Sequence, residues 1–256
     1  MLSEQQLEQF HRNGYVRLGQ VATDEEIDGL RVRIDDIMMG RIRYDGMFFQ
    51  LDSETGVYAD VKGGGNQFLG PSINYRKIER LELDDRFLRY VQHPHVQEIT
   101  EQLIGPHISV FRCMFMNKPP KRGTVLPYHQ DGGSSWNLTI DPILTVWTAL
   151  DEATKENGCM QIIPGSHKLG LLSERGHTIS AEHGAQYAKD EDSIFLEAKV
   201  GEVFVLHNWL LHRSGVNTIE RPRRAFSVCY MDAATRSTRN GQGFPVVFGH
   251  GALKAA

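Results

Sequence analysis

Residues 202–231, EVFVLHNWLLHRSGVNTIERPRRAFSVCYM, decide the fold class of this chain. Two runs of β-branched and aromatic residues, 202–207 and 224–231, lie on either side of a connection rich in Gly, Asn and Pro, as strands lie on either side of a turn. The same texture recurs in three earlier segments, 107–117, 143–151 and 158–163. Short strands at this spacing are typical of an antiparallel barrel or a double-sheet jelly roll. The sequence therefore predicts an all-β core, either a barrel or a jelly roll.

Helices are predicted to flank this core, mainly on its N-terminal side. Capping-box patterns beginning at Ser3 and Thr23 predict two helices, the second running towards Met39. A further helix is predicted over 84–104, where Gly and Pro follow its end. We find no repeat or linker, and the length suits a single domain over 1–256.

Composition excludes several classes of protein. Hydrophobic residues make up 40% and charged residues 23%, with a net charge of −4, so neither a nucleic-acid partner nor a membrane partner is expected. The first residues lack the pattern of a signal peptide. Three widely spaced cysteines indicate neither a disulfide framework nor a thiolate zinc site. We therefore expect a cytoplasmic protein.

A metal site is predicted from Tyr128-His129-Gln130-Asp131 together with His212 in HRSGVN. On a regular strand His129 and Asp131 would share one face, so both side chains can reach one ion, and a distant strand must supply the third ligand. Two imidazoles and one carboxylate leave positions open for a bidentate 2-oxo acid and O₂, an arrangement that suits Fe(II). His207 is the alternative third ligand.

An arginine follows the second part of this motif. Arg223 comes eleven residues after His212, at the start of the strand-like run RRAFSVCY. A guanidinium matches the distal carboxylate of a 2-oxo diacid because it is permanently charged and forked. The neighbouring Arg221 and Arg224 are the alternatives.

Several ordered motifs resemble one known family, the phytanoyl-CoA dioxygenase family of Fe(II)- and 2-oxoglutarate-dependent oxygenases. They are NKPP at 117–120, HQD at 129–131, ENGC and IPGSH within 156–167, and HRSGVN at 212–217. The resemblance extends from KIERL at 77–81 to VCYMDA at 228–233. It implies a double-stranded β-helix, or jelly roll, wrapped by helices.

The resemblance also implies roles for individual residues. His129, Asp131 and His212 are expected to bind iron, and Arg223 the C5 carboxylate of 2-oxoglutarate. Other residues fall where family members line the cosubstrate pocket or lie near the arginine: Lys77, Met114, Gln130, Trp147, Ser214 and Ser227. The reaction implied is oxidation at an unactivated carbon, with release of succinate and CO₂. Asp131 favours hydroxylation, because related halogenases have a small residue in its place.

Two other functions are open at this point. A cupin-like hydrolase or isomerase would use Zn or Mn, usually with more histidines and without an arginine anchor. A non-catalytic jelly roll would bind a metal or ligand as a sensor. Fold resemblance alone does not choose a function.

The substrate is expected to be a small molecule, handled by a monomer or a homodimer. Candidate substrate contacts are Trp136 and Asn137, directly after the metal motif. Loops 40–72, 132–139 and 170–195 are further candidates. The long polar segment 170–195 is predicted to act as a lid or binding loop over the site.

Overall fold

The structure, a computed structural model, describes residues 1–173 and 175–255. The helices in this part of the chain are α1 Glu4–Asn13, α2 Asp24–Met38, α3 Asp85–Val91, α4 Pro94–Leu103 and α5 Ala181–Tyr187. The strands are β1 Tyr15–Gln20, β2 Phe48–Leu51, β3 Tyr75–Glu79, β4 Ile108–Lys118, β5 Leu126–Gln130, β6 Leu144–Ala149, β7 Met160–Ile162, β8 His177–Thr178, β9 Ile194–Leu196, β10 Glu202–His207, β11 His212–Ser214, β12 Arg223–Asp232 and β13 Val246–Phe248. None of the described helices is both long enough and apolar enough to cross a membrane.

Two antiparallel sheets form the core. The larger sheet has the order β1-β10-β6-β12-β4-β3-β2, with β13 also paired to β4. The smaller sheet has the order β8-β5-β11-β7-β9. Apart from β2, β3 and β4, which are consecutive in both sheet and sequence, neighbouring strands come from distant parts of the sequence, which is the connectivity of a jelly roll. The predicted jelly roll with flanking helices is therefore confirmed, and all five predicted strands are present within one or two residues of their expected bounds.

The larger sheet separates two apolar clusters. Along β12, the side chains of Phe226, Val228 and Tyr230 belong to the cluster that includes residues of α2, α3 and α4. The alternate residue Ala225 belongs to a second cluster, which includes residues of the smaller sheet such as Ile162. This alternation follows from the two-residue period of a strand. It leaves the opposite face of β12 available for a site between the sheets.

Both predicted capping boxes are present, at the starts of α1 and α2. The prediction of one helix over 84–104 was wrong, because two shorter helices occupy this segment. Pro94 lacks a backbone N–H and disfavours a helical conformation in the residue before it. His93 accordingly has extended backbone angles and caps α4 by accepting a hydrogen bond from the N–H of His95.

Candidate active site

His129 and His212 face each other across two neighbouring strands. They are paired in register between β5 and β11, and their ring centroids are 4.0 Å apart. Asp131 follows the end of β5, where its backbone N–H donates to the carbonyl of Asn208 at 2.8 Å. Its carboxylate oxygen Oδ2 lies 3.9 Å from His212 Nε2. One ligand atom from each of the three residues lies within 4.8 Å of the others, so a single ion can be held by all three.

Hydrogen bonds fix the tautomer of both imidazoles. Nδ1–H of His129 donates to the carbonyl of Pro127, and Nδ1–H of His212 to that of Leu210, each at 2.9 Å. The Nε2 lone pairs are left for a metal, and such outer contacts orient metal-binding histidines generally. Burial, and then the nearby His212 and His177, hold the pKa of His129 well below its usual value. His129 is therefore neutral at pH 7, as a metal ligand must be.

This donor set fits Fe(II). Two neutral imidazoles and one carboxylate, arranged on one side of an ion, are the ligands of non-haem iron oxygenases and leave open positions for other ligands. Among the described residues, no second group of three or more His, Cys, Asp or Glu side chains has this proximity.

Arg223 lines the same cavity as the three predicted metal ligands, and its guanidinium is not fully hydrogen-bonded. The residue is 4% exposed and lies at the start of β12. Its Nη2 donates to the carbonyl of Gly158 at 2.9 Å, but its buried Nε has no hydrogen-bond partner among the described residues. Burial lowers the pKa of Arg223 to about 10, so the guanidinium stays charged at neutral pH. A buried charged donor without an acceptor is costly, so the site is prepared for an anion.

Lys118 is a second buried basic residue, and it lies beside Arg223. It is the register partner of Arg223 on β4, and its Nζ donates to the carbonyl of Thr124 at 2.7 Å. Burial and then the charge of Arg223 hold the pKa of Lys118 well below its usual value. Within the described chain neither Lys118 nor Arg223 forms a salt bridge. The distal carboxylate of 2-oxoglutarate is the kind of anion that this pair suits.

The profile of the family described as Phytanoyl-CoA dioxygenase (PhyH) matches residues 10–225. The chain belongs to the phytanoyl-CoA dioxygenase family. A probable phytanoyl-CoA dioxygenase of Caenorhabditis elegans is 28% identical over 242 residues, which cover 90% of this chain and 75% of the relative. The peroxisomal phytanoyl-CoA dioxygenase of Homo sapiens is 26% identical over 243 residues, 91% of this chain and 69% of the relative.

A solved structure confirms the fold of this family member. The crystal structure of EctD from S. alaskensis with 2-oxoglutarate and 5-hydroxyectoine superposes with a TM-score of 0.72 at 18% identity, covering 99% of this chain and 86% of that one. The predicted class of enzyme, a 2-oxoglutarate-dependent non-haem iron dioxygenase, is confirmed by the family match and by the His-Asp-His site. Its predicted cofactors, Fe(II), 2-oxoglutarate and O₂, are those of this class.

Most residues predicted to contact the cosubstrate in this phytanoyl-CoA dioxygenase family member line one cavity of about 640 Å³. They are Lys77, Met114, Trp147, Ser214, Ser227 and Arg223. Ser227 is paired in register with Met114 on one side and with Trp147 on the other, so the three share one face of the larger sheet. Lys77 lies on β3, where its Nζ forms an ion pair with Glu79 at 2.6 Å.

Gln130 occupies a different place from the one predicted, since it is not among the residues that line the cavity. Its side-chain amide donates to the carbonyls of Gly170 and Trp209 at 2.8 and 2.7 Å, and accepts from the N–H of Leu172 at 2.8 Å. The physical reason is the strand period, because residues on either side of Gln130 point into the cavity. In this structure Gln130 therefore connects the metal motif to residues 170–172 and to Trp209.

Of the two predicted substrate contacts, Trp136 lines the cavity and Asn137 does not. Asn137 ends a short 3₁₀ turn with a left-handed backbone, φ 55°, and its side-chain N–H donates to the carbonyl of Ser135 at 2.7 Å. Asn tolerates this conformation better than most residues. The observed contacts of Asn137 are thus those of a turn.

The segment predicted as a lid adjoins the site, although Glu174 lies outside the described residues. Strand β8 of this segment pairs with β5, opposite His129 and Gln130. His177 lines the cavity, with its ring centroid 5.1 Å from that of His129, and hydrogen-bonds to the hydroxyl of Tyr58. Sequence reasoning missed Tyr58, His177 and Lys118. The motif NKPP contained Lys118, but nothing in it signalled that this lysine is buried.

Proposed function

We propose that this protein hydroxylates an unactivated C–H of a small molecule, using Fe(II), O₂ and 2-oxoglutarate and releasing succinate and CO₂. One observation carries the proposal. The three metal ligands and the buried, unsatisfied Arg223 line the same cavity. The volume of about 640 Å³ is within the range of small-molecule sites and leaves room for a substrate beside the cosubstrate.

The residues of the chain divide this work between two ends of the cavity. His129, Asp131 and His212 would hold the iron, which supplies the redox chemistry that activates O₂ at the expense of the 2-oxo acid. Arg223 and Lys118 would bind the distal carboxylate of 2-oxoglutarate through charge-assisted hydrogen bonds. Met114 and Trp147 provide apolar walls that keep water from the reacting carbon.

The ligand carboxylate supports hydroxylation over halogenation. Asp131 offers an oxygen within 4.8 Å of both histidine ligand atoms, so the third protein position is filled by the protein itself. A halide therefore has no vacated position to take. We infer that oxygen, and not a halogen, is transferred to carbon.

The test is succinate release by purified protein supplied with Fe(II), ascorbate and 2-oxoglutarate, screened against a library of metabolites. Succinate that depends on both O₂ and a library compound supports the proposal, and a product that has gained one oxygen atom identifies hydroxylation. Controls omit O₂ or contain EDTA. Turnover that persists without O₂ would favour the Zn or Mn hydrolase or isomerase.

The non-catalytic alternative makes a different prediction. A sensor would bind Fe(II) without forming succinate from 2-oxoglutarate under any tested condition. The pair Arg223 and Lys118 supports the enzyme, because a metal sensor needs no buried cations beside its ion.

We further propose a small-molecule partner, a cytoplasmic location and a monomeric or homodimeric state. The volume of the cavity supports the first of these. The human relative is described as peroxisomal, so imaging of the tagged full chain in its own cells tests the second. Size-exclusion chromatography with light scattering tests the third.

A further inference from the structure

The cavity has a large excess of positive charge. Among the described residues that line it, Asp131 is the one acid, whereas five are lysine or arginine: Arg76, Lys77, Arg112, Arg213 and Arg223. Two of these cations are neutralised locally. Lys77 pairs with Glu79 at 2.6 Å and Arg213 with Asp190 at 2.6 Å. Once Arg223 is assigned to the cosubstrate, Arg76 and Arg112 are left without a salt bridge in the described part of the chain.

Among the described residues that line the cavity, Arg112 is a cation that has neither a salt bridge nor a hydrogen bond to its side chain. Its guanidinium carbon lies 4.5 Å from the centroid of the Trp136 ring and 5.3 Å from that of Phe111. Trp136 is itself 8% exposed and packs against Phe111, with centroids 4.7 Å apart. Within the described residues, the Arg112 side chain has no hydrogen-bond partner. Stacking fixes the plane of a guanidinium while leaving its N–H groups available.

Arg112 lies in the middle of β4, and the cosubstrate anchor lies at the C-terminal end of the same strand. Arg112 pairs in register with Cys229, and Lys118 with Arg223, so the two cationic positions are six residues apart along β4. Six residues of a strand span on the order of 20 Å. Met114 and Met116 lie between them on the same face and line the cavity. One small anion cannot bridge this distance, so an anion at Arg112 would occupy a position separate from the cosubstrate anchor.

The second position is close to the metal site. Arg112 and Trp136 line the same cavity as Asp131 and His177, and the ring centroid of His177 is 5.1 Å from that of His129. Arg76 is already oriented, because its Nη1 donates to Gln50 at 3.0 Å. A ligand held by Arg112 therefore reaches towards the ion.

We propose that Arg112, stacked on Trp136, binds an oxyanion of the organic substrate, a carboxylate or a phosphate, so that the substrate is a small acid oxidised at a carbon away from its charged end. Arg76 adds to the attraction without being the primary contact. This inference rests on the proposed function, since it names the substrate class of the same site.

Binding of matched probes tests the inference without knowledge of the substrate. The protein is loaded anaerobically with Fe(II) and saturating 2-oxoglutarate and titrated calorimetrically with benzoate, phenyl phosphate and benzamide. One charge-assisted contact is expected to make the two anions bind at least about tenfold more tightly than the amide. Whichever anion binds more tightly distinguishes a carboxylate from a phosphate substrate.

Variants of Arg112 test whether this residue causes the preference for anionic probes over benzamide. Arg112→Gln is expected to abolish the difference between benzoate and benzamide while leaving 2-oxoglutarate binding within about twofold, and Arg112→Lys is expected to restore part of it. Arg43→Gln is the matched control, because Arg43 also stacks on an aromatic ring, 4.5 Å from the centroid of Phe68, but does not line the cavity. Its anion preference should equal that of the unaltered protein.

Three outcomes would overturn the inference: benzamide binding as tightly as both anions, no measurable binding of either anion, or an anion preference that survives Arg112→Gln. The first two are read from the unaltered protein, so they do not depend on the folding of a variant. Failure of 2-oxoglutarate to bind the Fe(II)-loaded protein would instead contradict the proposed function, and it is measured before any probe is added.

Discussion

His129 and His212 are register partners on the antiparallel strands β5 and β11, with their rings 4.0 Å apart. The pairing of these two short strands therefore sets the distance between the two histidine rings. A shift of one residue in this register would turn one imidazole to the other face of the sheet. The metal site thus depends on the sheet as a whole and not on a flexible loop.

Asp131→Ala is expected to reduce substrate-dependent succinate formation by at least about 100-fold, because one of three protein ligands is lost. Calorimetric titration with Fe(II) under argon should show a matching loss of affinity. Asp28→Ala is the control, since this exposed helix residue pairs with Arg31 far from the cavity. Full turnover by Asp131→Ala with added Fe(II) would refute the ligand assignment.

Arg223→Gln is expected to affect mainly the binding of 2-oxoglutarate, and Arg224→Gln mainly the stability of the fold. Arg223→Gln should raise the KM for 2-oxoglutarate by about 10- to 100-fold, because a charge-assisted contact is lost. Arg224 points to the other face of β12 and binds Asp151 through Nε at 2.7 Å and Nη2 at 2.9 Å. Its loss should lower the unfolding free energy by about 1–3 kcal/mol, with KM unchanged.

Steady-state kinetics and urea unfolding of both variants provide the comparison. If Arg224→Gln changed KM and Arg223→Gln did not, the anchor would be Arg224.

Lys118→Met is expected to weaken 2-oxoglutarate binding by about tenfold, because the second cation of the anchor is removed. Since methionine fills a similar volume without a buried charge, the protein without cosubstrate should be at least as stable as before. Calorimetry and thermal unfolding measure the two effects. Unchanged cosubstrate affinity would limit Lys118 to its hydrogen bond with Thr124.

Gly176→Ala is expected to disturb the contact between the lid segment and the metal motif. A Cβ atom at Gly176 would lie 1.6 Å from the carbonyl oxygen of Gly132, and φ of 74° disfavours other residues. We expect a loss of more than about 1 kcal/mol of unfolding free energy and weaker Fe(II) binding. Gly184→Ala in α5 is the control, since no atom lies within 4 Å of its added Cβ. Equal effects of the two substitutions would contradict this account.

His207 is expected to make the protein sensitive to acid. Burial, followed by the nearby His167 and His11, lowers the pKa of His207 to about 4. The unfolded chain, with a pKa near 6.5, binds more protons than the folded one between these values. Stability from this group is therefore complete above about pH 6.5 and is lost as pH falls towards 4.

His207→Asn isolates the effect, because the amide oxygen can still accept the N–H of Trp209. In urea titrations of metal-free protein at pH 7 and 4.5, the variant should lose roughly 1 kcal/mol less stability than the unaltered protein, allowing for partial exposure of His207. Equal losses would show that His207 is not the responsible group.

The two-residue period of strands predicted that His129 and Asp131 share one face. The same period is inconsistent with the predicted place of Gln130 in the cosubstrate pocket. If His129 and Asp131 share the cavity face, the residue between them must point away from it, as observed. The sequence could not predict the role of Lys118, because only the register of β4 and β12 places it beside Arg223. The break in the helix 84–104 was readable in principle from Pro94. Arg112 lay in a predicted strand. That its side chain has no hydrogen-bond or salt-bridge partner among the described residues depends on the tertiary structure and could not be predicted from the sequence.

The pair Arg223 and Lys118 has a consequence for the end of the catalytic cycle. In the proposed binding mode Arg223 and Lys118 hold the distal carboxylate of 2-oxoglutarate, and succinate keeps this carboxylate, so the residues that capture the cosubstrate also retain its product. Among the described residues neither side chain forms a salt bridge that could replace the carboxylate when it leaves. Departure of succinate is therefore a slow step built into the site, and accumulated succinate should compete with 2-oxoglutarate for it.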